Sequence, residues 1–320
     1  MSAHLVEIAG APIPPRAEVA WLVRPDGRRL RAALFDSIGA PRGSVVLSGG
    51  RNEPMEKYFE VIGELQARGF AVLTHDWRGQ GLSDRALADR LRGHCESHEE
   101  MVADLVALLD VYQHRLPEPR IAIGHSMGGC LTLRALVDRE AASGRIAGAI
   151  LSAPMLGLRT RPLPPAVVSA LARLGRIAGR GERYGPAGPG RPFDLPFDGN
   201  VLTQDRARFS RHRALIAACP DLALGGPTWG WLDAAFRGMA LLARPDRLRR
   251  VGVPVIICAA QRDRVVDTAA LRRAALLLPR GRLVEVPGAY HEILMETDER
   301  RAFFWWAFDD LAMELGHRPA

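Results

Sequence analysis

Three side chains in this sequence have the types and the chain order that acyl transfer through a serine nucleophile requires: Ser126, Asp263 and His291. Ser126 lies in Gly124-His125-Ser126-Met127-Gly128, behind the apolar run Ile121-Ala122-Ile123 and ahead of a helical pattern over 131–137. A strand, a sharp turn and a helix with serine at the apex lift the hydroxyl clear of the sheet. Glycine at 124 and 128 suits the crowding of such a turn, where a Cβ would clash. The amide of Met127 then falls at a helix N-terminus, where it can face negative charge developing on a carbonyl oxygen.

A hydroxyl needs a base to become a nucleophile, and the base needs an acid to hold its tautomer. With this kind of turn the order along the chain is serine, acid, histidine, which leaves His212, His291 and His317 as candidate bases. His317 belongs to the tail and His212 to an irregular stretch. His291 directly follows a strand and the loop Pro287-Gly288-Ala289-Tyr290. The acid is expected at the end of the preceding strand, and Asp263 is best placed there. Asp267 is the rival, but it immediately precedes a helix, where capping is the ordinary role of aspartate. The second oxyanion donor is expected after the strand ending at Ser48. Gly49-Gly50 permit close approach there, so the amide of Arg51 would act beside that of Met127. Asp76 and Arg78 read as loop braces, and Trp229, Trp231 and Phe236 as an acyl-pocket lining or as plain core.

The elements that must position these groups alternate. Strands are expected over 43–48, 70–74, 147–152, 254–259 and 282–286, and helices over 55–69, 97–114, 233–242, 268–277 and 298–315. Segments 19–23 and 29–37 flank Pro25-Asp26-Gly27, a hairpin signal. Such alternation predicts an α/β fold with a mostly parallel sheet covered on both faces. From 155 to 230 the periodicity fails in favour of proline, glycine and arginine. That stretch is too long for a loop and is expected to be an inserted cap or lid. The organisation is therefore core 1–154, cap 155–230, core 231–320.

Composition narrows the function classes. Net charge is +7 with a sequence pI near 9.9, which favours approach to an anionic surface such as phospholipid. No basic run alternates with aromatics, so a nucleic-acid partner is not expected. The four cysteines are far apart with no Cys-x-x-Cys pair, so neither a disulfide, nor zinc, nor any other metal or cofactor is expected. Residues 1–16 lack the pattern of a signal peptide, and nowhere do roughly 18 apolar residues run together. The expected location is the cytoplasm, with peripheral contact at the inner face of the membrane.

These residues together resemble the serine-hydrolase branch of the α/β-hydrolase superfamily, from about Arg29 to the C-terminal helix. Within it the chain is similar to the monoacylglycerol lipase and lysophospholipase group. That similarity rests on Gly50-Arg51-Asn52-Glu53 with Lys57-Tyr58, on Asp76-Trp77-Arg78-Gly79-Gln80-Gly81-Leu82-Ser83, on Leu151-Ser152-Ala153-Pro154-Met155 and on Gly288-Ala289-Tyr290-His291-Glu292. Leu202-Thr203-Gln204-Asp205-Arg206 and Gly225-Gly226-Pro227-Thr228-Trp229 bring it nearest to bacterial lysophospholipases. The resemblance implies an eight-stranded, mostly parallel sheet with helices on both faces, a helical cap and a triad of Ser126, Asp263 and His291. It also implies a small lipid ester as substrate, a lysophospholipid first and a monoacylglycerol next. Gly49 departs from the pattern, because monoacylglycerol lipases usually carry histidine there.

Overall fold

The computed structural model describes residues 2–138 and 144–316. Two antiparallel strands, β1 (Ala17–Val23) and β2 (Arg29–Phe35), open the fold as the hairpin expected around Asp26-Gly27. Six further strands follow: β3 (Gly43–Ser48), β4 (Phe70–His75), β5 (Arg120–His125), β6 (Gly148–Ser152), β7 (Val255–Ala260) and β8 (Gly281–Val286). They form one sheet in the order β1-β2-β4-β3-β5-β6-β7-β8. Every neighbour pair from β4 to β8 is parallel. Strands β3, β4 and β7 are buried along their whole length. Their continuous apolar runs, rather than alternating ones, are what a sheet covered on both faces requires.

Helix α1 (Phe59–Ala67) packs on β4, α2 (His98–Tyr112) on α3, and α3 (Met127–Val137) on β5. Ser97 caps α2 by accepting the Glu100 N–H at 3.2 Å, the first half of the capping box expected from the sequence. The expected helix at 55–69 differs at its start. It opens as a 3-10 turn, Met55–Tyr58, where the Met55 N–H is taken at 3.0 Å by Asp76 from the neighbouring loop.

Between β6 and β7 no strand joins the sheet. Instead come α4 (Pro165–Gly175), α5 (Arg206–Ala218), α6 (Trp229–Leu242) and the short α7 (Pro245–Leu248). Helix α6 begins four residues before the expected 233, since Thr228 caps it by accepting the Trp231 N–H at 3.2 Å. Helix α5 is hard to see in sequence because arginine and histidine occupy most of its faces, so no apolar stripe marks it. The chain ends with α8 (Thr268–Leu277) against β7 and β8, and α9 (Asp298–Gly316) against β6, β7 and β8. His317 lies outside the described residues.

Candidate active site

Strand β5 delivers Ser126 into a conformation that few side-chain-bearing residues accept, with φ 48° and ψ −114°. Three backbone bonds hold it there. Its N–H donates to the Ser152 carbonyl at 3.0 Å, and its own carbonyl accepts from Cys130 at 3.0 Å and Met155 at 2.9 Å. The flanking glycines are obligatory on steric grounds. A Cβ on Gly124 would stand 2.7 Å from the Gly129 Cα, and one on Gly128 would stand 2.2 Å from the Ser48 carbonyl oxygen.

The loops after β7 and β8 bring the other two groups to the serine. His291 Nε2 lies 3.0 Å from Ser126 Oγ, and its Nδ1 lies 2.8 Å from Asp263 Oδ2. Asp263 Oδ1 accepts the amides of Val265 at 2.7 Å and Val266 at 2.9 Å, which leaves Oδ2 for the imidazole. Burial raises the Asp263 carboxyl, but the hydrogen bond and charge of His291 and the two amides outweigh it. The group is held below the ordinary carboxylate range. Asp267, the rival, instead accepts the Ala269 N–H at 3.1 Å and caps α8.

Arg51 and Met127 line the same cavity of about 230 Å³ as Ser126 and His291. The loop carrying Arg51 is tied down at several points. Trp77 Nε1 donates to the Gly49 carbonyl at 2.8 Å, and the Asn52 N–H donates to Gln80 Oε1 at 2.7 Å. Glu53 Oε2 accepts the Gly50 N–H and the Tyr58 hydroxyl, the latter at 2.6 Å. The Arg51 side chain is held by other partners. Its guanidinium lies 5.3 Å from the Trp231 ring centroid and donates to the Gly225 carbonyl, and burial pulls its pKa down to about 10. Asp76 and Arg78 are braces, as expected. Asp76 pairs with the buried Arg31 at 2.6 Å, and Arg78 with Asp104 at 2.6 Å.

Several residues that the sequence analysis names without a part in the site also meet there. Lys57 Nζ bridges Glu53 at 2.7 Å and Glu292 at 2.6 Å, all three nearly inaccessible. Burial lowers the lysine and raises both carboxyls. The two negative charges outweigh it at Lys57, which is held above its ordinary value, while Glu53 is held below its own by Lys57 and His125. Burial and the Glu53 charge leave Glu292 raised despite Lys57. His125 packs 4.9 Å from His291, and burial pushes it down to about 4, so it stays neutral beside the relay. His212 of α5 lines the cavity. Among the described residues its Nδ1 has no hydrogen-bond partner, and burial likewise lowers its pKa to about 4. Of the three aromatic candidates Trp231 lines the cavity, while Trp229 and Phe236 pack against the core. Short-range sequence signals for these residues existed only in the runs around Arg51 and His291, since nothing local links Lys57 to Glu292.

Among the described residues no group of three or more His, Cys, Asp or Glu is arranged to hold a metal ion. A serine hydroxyl in hydrogen-bond reach of an imidazole that a carboxylate holds, beside a cavity, is an arrangement that can carry acyl transfer.

The chain is 35% identical over 287 residues to lysophospholipase L2 of Escherichia coli, covering 86% of this chain and 79% of that one. It is 27% identical to a monoacylglycerol lipase of Mycolicibacterium smegmatis, covering 81% and 85%. In structure it is similar to the monoglyceride lipase of Saccharomyces cerevisiae, with a TM-score of 0.73 over 93% of this chain and 96% of that one. Their sequence identity is 21%, a likeness of fold. Residues 39–298 match the sequence model of the family described as serine aminopeptidase, S33. The chain is thus an enzyme of the α/β-hydrolase fold and belongs to the S33 serine hydrolase family.

Proposed function

We propose that the chain hydrolyses carboxylic esters of single-acyl-chain lipids, lysophospholipids before monoacylglycerols, with no cofactor. The observation that carries this is the continuous relay from Ser126 Oγ through His291 to Asp263, at 3.0 and 2.8 Å. Ser126 Oγ attacks the ester carbonyl while His291 Nε2 takes its proton. Asp263 orients the imidazole and stabilises the imidazolium, and the amides of Arg51 and Met127 hold the oxyanion. Collapse breaks the ester C–O bond, with His291 returning its proton to the leaving alcohol. Water, deprotonated by His291, then releases the fatty acid from Ser126.

The relatives named above support the lipid class, and the cavity is consistent with it. Met155, Leu158, Leu195, Phe209 and Trp231 offer apolar walls, while Arg213 offers charge for a polar head. Residues 155–230 would be the cap over this cavity, between the core parts 1–154 and 231–320. The positive net charge suits peripheral contact with an anionic membrane on the cytoplasmic side.

The test is fatty-acid release from long-chain lysophosphatidylcholine, lysophosphatidylethanolamine and monoacylglycerol, beside a short p-nitrophenyl ester. Preference for the lyso-lipids is expected, with Ser126→Ala losing about 10³-fold or more in turnover. Undiminished turnover by Ser126→Ala would sink the mechanism. Activity confined to the short ester would reduce the substrate to a general carboxylic ester.

A further inference from the structure

Charge in this chain is concentrated where it was least readable. Residues 155–192 carry seven arginines (159, 161, 173, 176, 180, 183 and 191) and one acidic residue, Glu182, and so hold six of the seven net positive charges. Among the described residues Arg176 pairs with Asp233 at 2.7 Å, and the other six arginines form no salt bridge. All seven are exposed.

The same segment turns apolar side chains outward. Helix α4 buries Val168 and Ala172, while Val167, Leu171 and Leu174, spaced i, i+4, i+7, stand 42%, 41% and 61% exposed. Ile177 extends the stripe at 67%. A helix that packs one face on the protein and leaves a second apolar stripe in water has a further surface to bury. Chain geometry ties this surface to the cavity. Leu158 and Leu195, which bracket the excursion, both line it. Arg159 and Arg161 form a hollow with Arg264, whose neighbour Val265 is another cavity residue.

We propose that α4 and its flanking arginines are the surface by which the enzyme docks on an anionic phospholipid bilayer. The stripe enters the headgroup boundary, the arginines meet lipid phosphates, and the cavity is thereby set close to its lipid. The pairing of an outward apolar stripe with unpaired cations on one short segment is the signature of an interfacial helix. Helix α9 supplies the contrast. It also exposes apolar residues, Phe303 and Trp306, but carries five acidic residues against Arg300 and Arg301, and so lacks the cation excess of the α4 segment. The assignment rests on the lipid-ester reading for its purpose, although the docking itself can be measured without turnover.

The experiment is flotation of the full chain, as Ser126→Ala to prevent hydrolysis, with vesicles of 3:1 phosphatidylcholine to phosphatidylglycerol and with phosphatidylcholine alone. Binding is expected to the anionic vesicles and to weaken as salt rises. Leu174→Glu with Ile177→Glu should lower partitioning about tenfold or more, while Trp306→Ser should not. In the otherwise wild-type chain the same pair should leave hydrolysis of a soluble short ester and the melting temperature unchanged. Arg180→Glu with Arg183→Glu, which leaves the apolar stripe intact, provides an independent variant with the same expected loss. Failure to float with anionic vesicles, equal flotation of the variants, or a dimer in sedimentation that the leucine and isoleucine changes dissociate would each overturn the proposal. Intact flotation with no hydrolysis of any ester would overturn the reading of the site and leave the docking surface standing.

Discussion

At the scale of the residue, two aspartates four positions apart have separable jobs. Asp263 meets His291 and Asp267 meets the first turn of α8. Asp263→Asn should reduce kcat on the order of 10⁴-fold with the fold intact. Asp267→Asn should leave kcat unchanged and move stability by no more than about 1 kcal/mol. Steady-state kinetics and a urea titration on both variants would decide, and equal losses of kcat would contradict the assignment. Glu53 invites a second experiment. Its carboxylate accepts the Gly50 amide, one peptide from the Arg51 N–H, and it also takes the Tyr58 hydroxyl and the Lys57 ammonium. Glu53→Ala leaves that amide without an acceptor, so the loop should drift and kcat should fall by about 10² with little change in KM. Glu53→Gln keeps an acceptor oxygen and should recover part of the loss.

At the scale of the element, glycine separates strain from freedom. At Gly128 a new Cβ would meet two backbone oxygens, those of Ser48 at 2.2 Å and Gly49 at 2.4 Å, at the root of the loop that carries Arg51. Gly128→Ala should therefore damage folding and turnover together. Gly63, inside α1, would give a Cβ nothing within 4 Å. Gly63→Ala should raise stability by about 0.5–1 kcal/mol, because alanine loses less backbone entropy in a helix. Paired thermal melts would test both, and a destabilised Gly63→Ala would show that α1 is misdescribed.

At the scale of the whole molecule, histidine burial sets an acid limit. Burial lowers His75, His125 and His212 to about 4 and His98 to about 3, from an ordinary 6.5. Among the described residues neither ring nitrogen of His75 or His98 has a hydrogen-bond partner. Between about pH 4 and 6.5 the unfolded chain binds more protons at these sites than the native one, so stability must fall as pH drops through that window. Each group costs about 1.4 kcal/mol one pH unit below its unfolded value. Glu56 and Glu292, raised by burial, act in the opposite direction. With four histidines against two carboxylates, the urea midpoint should be lower at pH 5.5 than at pH 7. An unchanged midpoint would mean that these imidazoles are solvated or protonated in the native state.

What the sequence alone determined was whatever depends on neighbours along the chain. The turn at Ser126 was legible because Gly-x-Ser-x-Gly must follow a strand and precede a helix, and each part has a local signature. The same holds for the cap at Ser97, the capping role of Asp267, and the parallel sheet, whose apolar runs reflect burial on both faces. His291 and Asp263 are legible from chain order together with their places just past strands, both of which are local signals. Tertiary structure decided everything that needs two remote segments to meet. The Lys57 bridge to Glu292 spans 235 positions, and no local pattern encodes such a contact. His212 lies in a stretch without sequence periodicity, and only the packing of α5 brings it to the cavity. Residues 155–230 stayed unreadable because their helices bury narrow faces, place arginine around the rest, and in α4 turn an apolar stripe to the outside. Periodicity reports which side of a helix is apolar, and only the packed chain decides whether that side faces the core or the solvent.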